Sequence, residues 1–66
     1  MNITVNGEAR VLTHGVTVAA LVTEVASSPR GIAVAVNEEV VPRSEWGCVE
    51  LTAGDRVEVL TASQGG

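Results

Sequence analysis

Lysine is missing from this 66-residue chain, and so are phenylalanine and tyrosine, while cysteine, histidine, aspartate and tryptophan each occur once. Each scarcity narrows the range of functions. With Cys48 alone, no internal disulfide can staple the fold and cysteine defines no metal site. The chain is therefore expected to be cytoplasmic, in a reducing compartment. His14, Cys48 and Asp55 lie far apart in sequence and do not read as a hydrolytic constellation. No apolar run approaches membrane-spanning length, and Met1-Asn2-Ile3-Thr4-Val5 lacks the basic and apolar blocks of a signal peptide. A net charge of −4, from seven Glu and one Asp against four Arg, disfavours nucleic acid and anionic membrane surfaces. That charge suits a partner with a basic docking face, or simply keeps a small domain soluble.

What is present is small and branched. Apolar residues make up 45% of the chain and Val is the commonest residue, which favours strands, because β-branched side chains fit a pleated surface. At this length the chain forms one domain with little room for a substrate pocket.

Ile3 and Val5 alternate with polar neighbours, and Asn6-Gly7 is a dipeptide that favours a two-residue hairpin turn. Glu8–Leu12 is expected to return as a second strand, with Ala9 and Val11 on one face and Glu8 and Arg10 on the other. Val18, Leu21, Val22 and Val25 then fall at i, i+3, i+4 and i+7, one face of a helix. Thr17 is its expected N-cap, with Val16 and Leu21 in the positions of a hydrophobic staple. Ser27-Ser28-Pro29-Arg30-Gly31 is expected to stop that helix, because Pro29 disfavours α geometry at Ser28 and cannot donate a backbone bond.

Ile32, Val34 and Val36 alternate with Ala33 and Ala35, a third strand with one face of methyl groups. That face is either a contact for a partner or a plain sheet surface. Asn37-Glu38-Glu39 reads as a turn, and Pro42 interrupts the apolar pair Val40-Val41. Pro42–Trp46 reads as a loop or short helical turn, with Trp46 covering one end of the core. Val49 and Leu51 are expected in a short fourth strand, and Arg56–Leu60 in a fifth with Val57 and Val59 inward. His14 is expected to be solvated and Cys48 to be a partly buried small hydrophobe. The expected domain is α+β, a mixed sheet of four to five strands packed on one helix.

Residues 1–60 then form the domain and residues 61–66 a free tail, Thr61-Ala62-Ser63-Gln64-Gly65-Gly66, with no large apolar side chain to tie it down. Extended, the six residues after Leu60 reach about 20 Å. Small polar residues also collect at frayed termini, but a Gly-Gly end can thread a channel too narrow for a Cβ and present its carboxylate there. That carboxylate, ionised at neutral pH, is a nucleophile toward the α-phosphate of ATP. With no Lys in the chain, an activated acyl end meets no side-chain ammonium of its own.

The segment Val36-Asn37-Glu38-Glu39-Val40-Val41-Pro42-Arg43-Ser44-Glu45-Trp46, then Gly54-Asp55-Arg56-Val57-Glu58-Val59-Leu60, then Gly65-Gly66, resembles the ThiS-type sulfur carrier proteins of thiamin synthesis over essentially the whole chain. Val-Pro-Arg-x-x-Trp is the most specific piece of the likeness. Gly-Asp and Gly-Gly alone also suit the small subunit of molybdopterin synthase and related carriers. The resemblance implies a ubiquitin-like β-grasp fold. It further implies that Gly66 is adenylated by an E1-like (ThiF-type) adenylyltransferase using ATP and Mg²⁺. Sulfur drawn from cysteine through a cysteine desulfurase would then convert Gly66 to a thiocarboxylate, consumed by thiazole synthase (ThiG-type). On this reading Gly66 carries the sulfur, Gly65 gives access, and the chain is a co-substrate rather than an enzyme, with no cofactor or metal of its own. Strand alternation, independently of the resemblance, puts Leu60 on the sheet face opposite Val57 and Val59, where it joins Ala33 and Ala35 as an expected docking surface. A different class of reading is a ubiquitin-like interaction module or protein modifier.

Overall fold

The chain opens with a hairpin, β1 (Asn2–Val5) and β2 (Glu8–Val11), paired antiparallel from Asn2↔Val11 to Val5↔Glu8. Asn6 (φ 52°) and Gly7 (φ 83°) both take the left-handed conformation that a tight two-residue turn demands. The computed structural model describes residues 1–28 and 30–61. Helix α1 (Val18–Val25) comes next, then β3 (Ile32–Val36), β4 (Glu39–Val41), a 3₁₀ turn (Arg43–Glu45) and β5 (Arg56–Thr61). The sheet order is β2-β1-β5-β3-β4. β5 runs parallel to β1, whereas the β1–β2, β3–β4 and β3–β5 pairs are antiparallel.

One face of this mixed sheet is covered. Ile3, Val5, Val34, Val41, Val57 and Val59 form a single core cluster with Val18, Leu21 and Val22 of α1, and with Leu12, Trp46 and Leu51. Leu21, Val18, Val34 and Val57 are its largest fully buried side chains, each stabilising the fold by about 1.5–3 kcal/mol. Val16 is half-buried against the same cluster, at the position expected for its staple.

The start of α1 is capped without a free donor in its first turn. The Thr17 hydroxyl accepts from the Ala20 N–H at 3.2 Å, while Val18 N–H donates to Val49 O and Ala19 N–H to Trp46 O. These bonds explain a difference from the sequence reading. Residues 49–51 are not a strand: Val49 O serves the helix start, Leu51 N–H donates to Val16 O, and only Glu50 makes an isolated bridge with Thr17. The additional strand is instead β4, with Val41 inward and Val40 outward.

The same geometry bears on three smaller expectations. β2 is four residues long rather than five, and of its two faces that of Ala9 and Val11 is exposed, whereas Arg10 lies on the helix side, 3.8 Å from Glu24 of α1. α1 ends at Val25 with Ala26 already extended, ahead of residues 27–31; Pro29 lies outside the described residues. Cys48 is exposed rather than partly buried, because its N–H is tied to Glu45 O in the turn after the 3₁₀ segment and its side chain stays off the core. His14 is exposed, as expected.

The Pro42–Trp46 segment is structural. Pro42 (φ −60°) opens the 3₁₀ turn, and Trp46, 5% exposed, closes one end of the core. Its indole N–H donates to Val41 O at 2.9 Å, and the Arg43 guanidinium sits 5.9 Å from the ring centroid. Replacing Trp46 by Phe keeps most of the apolar contact but removes the buried indole donor to Val41 O. This change should lower the unfolding free energy by about 0.5–1.5 kcal/mol in urea titration, and unaltered stability would show that the indole bond is dispensable.

Candidate functional site

β5 is the element that leads toward the C-terminus, and the fold holds it more firmly than its six residues alone would suggest. It lies in the middle of the sheet, paired with β1 through Thr4↔Arg56 and Val5↔Val57, and with β3 from Val36↔Val57 to Ile32↔Thr61. Each end is also gripped by an asparagine in a left-handed turn.

At the start of β5, Asn37 (φ 51°) donates its backbone N–H to Arg56 O at 2.7 Å. Its side-chain oxygen accepts from Arg56 N–H at 2.9 Å, and its side-chain N–H₂ donates to Asp55 Oδ1 at 2.9 Å. Asp55 is the buried charged residue of the core region. Its carboxylate also accepts from Thr52 N–H at 2.8 Å and from the Thr52 hydroxyl at 3.1 Å. Toward the other end, Asn6 donates its backbone N–H to Val57 O. The Asn6 side-chain amide then takes both backbone groups of Val59: Nδ2 donates to Val59 O at 3.1 Å and Oδ1 accepts from Val59 N–H at 2.9 Å.

The open face of the sheet carries the expected docking residues. Leu60, 65% exposed, is the register partner of Ala33, and Ala35 is the register partner of both Glu58 on β5 and Val40 on β4. Leu60, Ala33 and Ala35 are therefore brought together on one face, and Val40, 77% exposed, extends the patch. Val40 was readable only as part of an apolar pair, because its outward direction depends on Val41 being the member turned into the core. Asn6 and Asn37 were readable as turn residues but not as clamps on β5, since their partners lie 53 and 19 positions away. Gly65 and Gly66 lie outside the described residues.

Among the described residues no three His, Cys, Asp or Glu side chains gather where a metal ion could bind, and both oxygens of Asp55 are engaged by Thr52 and Asn37. An open groove of about 730 Å³ runs beside the end of β5 between the first hairpin and the helix C-terminus, with Val5, Val25, Ile32 and Val59 among its apolar lining. Among the described residues no helix is long and apolar enough to cross a membrane.

A mixed sheet of this order curled over one helix is the ubiquitin-like β-grasp, the class expected of a small carrier. The profile of the ThiS family matches residues 3–66, and the chain belongs to the ThiS family, the small sulfur carriers of thiamin synthesis that its sequence resembles. The crystal structure of a thiamine biosynthesis protein, ThiS, from Geobacter metallireducens is similar with a TM-score of 0.85 and 29% identity, covering 100% of both chains. A solution structure of a thiamine biosynthesis protein from the same organism gives a TM-score of 0.76 at 28% identity, covering 91% of this chain and 81% of that one. A thiazole synthase of Paramagnetospirillum magneticum is 36% identical over all 66 residues, and the chain spans 20% of that relative's length.

The Asp55 cluster makes a prediction about acid stability. Burial pushes its carboxyl pKa up, but hydrogen bonds from the Thr52 backbone, the Asn37 side chain and the Thr52 hydroxyl together outweigh burial and hold it below its ordinary value. A carboxylate with a depressed folded-state pKa stabilises the fold above its unfolded pKa, about 4, and loses that contribution as pH falls through the folded value. The stability gap between the wild-type chain and Asp55→Asn should be widest near neutrality and shrink below about pH 4. A gap independent of pH in denaturant titrations would contradict this.

Proposed function

We propose that the chain carries sulfur for thiazole formation as a thiocarboxylate on Gly66, acting as a protein co-substrate of partner enzymes. The observation that supports this most is the coupling of family membership to layout: the firmly held central strand β5 precedes residues 62–64 and then Gly65-Gly66 in the sequence. In the proposed sequence the C-terminal carboxylate attacks the α-phosphorus of ATP in an E1-like adenylyltransferase that supplies Mg²⁺. Pyrophosphate leaves and an acyl adenylate forms. A persulfide sulfur, drawn from cysteine by a desulfurase, then adds to the acyl carbon and displaces AMP. Reductive cleavage of the S–S bond by a thiol leaves the thiocarboxylate, which thiazole synthase consumes. Gly65 keeps the approach to this carbon free of a side chain.

The relative from Paramagnetospirillum magneticum supports thiazole synthase as a partner, because a segment like this chain occurs there within a longer protein named for that activity. Docking is assigned to the open sheet face. Leu60, Ala33 and Ala35, extended by Val40, give a partner an apolar contact on the strand that leads into the tail, and the chain's net charge of −4 suits a basic rim on the partner. The acyl chemistry alone would serve a molybdopterin-type carrier equally well, so the choice of synthase is tested by pull-down with each.

Incubation with ATP, Mg²⁺, the host adenylyltransferase and a sulfide source, read by intact mass, should replace one terminal oxygen with sulfur. A chain lacking Gly66 should not react. Leu60→Asp should fold normally yet react at least tenfold more slowly at sub-saturating concentration, the loss of a buried apolar anchor. A wild-type chain left unmodified would refute the carrier reading, and a fully active Leu60→Asp would remove this face from the interface.

A further inference from the structure

The two asparagine clamps differ in partners and in position. Asn37 joins the Arg56 N–H to the Asp55 carboxylate, whereas Asn6 takes both backbone groups of Val59. The difference points to a role for Asn6 beyond folding. β1 pairs with β5 only as far as Val57, whereas β3 accompanies β5 to Thr61. Beyond Val57 the β1 side of β5 would therefore present the N–H and C=O of Val59 without a partner strand. The side-chain amide of Asn6 takes both groups, standing where a further residue of β1 would stand. The Asn6 amide offers a donor and an acceptor side by side on one planar group, and Asn tolerates the left-handed backbone that this turn requires. With the clamp, β5 is supported on both sides as far as Val59. Without it, two-sided support ends two residues earlier, at Val57, and the one-sided stretch that hangs from β3 grows from Leu60 and Thr61 to the last four residues of the strand.

We infer that Asn6 is the positioning residue of the reactive end: by fixing Val59 it sets the point and direction from which the C-terminal segment leaves the sheet toward a partner's active site. The inference rests on the carrier reading above only for its consequence in catalysis. Strand residues held from one side fray more readily, and an enzyme that engages them must restore their order at the moment of binding. The cost falls on recognition of the carrier rather than on the acyl chemistry.

Asn6→Gly isolates the effect, because glycine accepts the positive φ and lacks only the amide. Asn6→Asp keeps the acceptor for Val59 N–H and loses the donor. Asn37→Gly is the control, removing the clamp at the opposite end of β5 together with its bond to Asp55. In ¹⁵N relaxation of the isolated chain, the order parameters of Leu60 and Thr61 should fall from about 0.85 toward 0.6 in Asn6→Gly and stay unchanged in Asn37→Gly. In ATP–pyrophosphate exchange by the host adenylyltransferase, Asn6→Gly should raise the KM for the carrier about three- to tenfold with kcat within about twofold. Asn6→Asp should fall between, and Asn37→Gly should match the wild-type chain, all at a temperature where every variant is folded. Unaltered relaxation at Leu60 and Thr61, or an equal rise in KM for both glycine variants, would reduce Asn6 to a structural residue and overturn the inference. Absence of exchange by the wild-type chain would instead overturn the carrier reading, and the relaxation measurement would still decide the role of Asn6 at the strand end.

Discussion

The structure depends on keeping one strand, β5, in the centre of the sheet and satisfied along both edges. A strand that must also launch a functional terminus faces opposing demands: its body has to be immovable while the terminus is delivered elsewhere. The chain meets the first demand with pairing to β1 and β3, inward Val57 and Val59, and two asparagines in left-handed turns whose side-chain amides complete the edges that neighbouring strands leave open. Both turns use a conformation costly for most residues but tolerated by Asn. The same residue type thus closes a hairpin and braces a third strand.

The remaining polar groups are committed in the same way. Thr17, Val49 and Trp46 occupy the first N–H groups of α1, the indole of Trp46 is spent on Val41, and Asp55 is fully engaged by Thr52 and Asn37. Among the described residues no buried side-chain polar atom lacks a partner. The body is built to be rigid, and under the proposed function its contribution is shape and address: an open sheet face for recognition and a fixed departure point for Gly66. The Val-Pro-Arg-x-x-Trp segment, the most specific part of the family likeness, acts inside the fold, closing the core and capping the helix, and does not touch the proposed chemistry.

Much of this was legible in the sequence because it rests on local periodicity. The alternation of Ile3 and Val5, of Val34 with its neighbours, and of Val57 and Val59 with Leu60 gave strand faces correctly, and the spacing of Val18, Leu21 and Val22 gave the helix stripe. Asn6-Gly7 announced its turn through backbone chemistry. The features that were not legible depended on distant partners. Val49–Leu51 has the pattern of a strand, but its backbone is claimed by the start of α1. Alternation puts Ala9 and Val11 on one face of β2, but which face turns to solvent is settled only by the direction of the hairpin over the helix. Cys48, apolar by composition, is held outward by the turn in which it sits. The clamps of Asn6 and Asn37 on β5 belong to the same category, since no local signal specifies which strand a turn residue will grip.

The most direct test of a clamped β5 is native-state hydrogen exchange along the strand. The amides of Arg56 and Val59 donate to side-chain oxygens of Asn37 and Asn6 rather than to a strand. If those clamps are integral to the fold, both amides should exchange as slowly as that of Val57, at the rate set by global unfolding. Exchange of Val59 near the rate of an unprotected chain, with Val57 still protected, would show the Asn6 clamp to be incidental and would remove the basis for a fixed departure point.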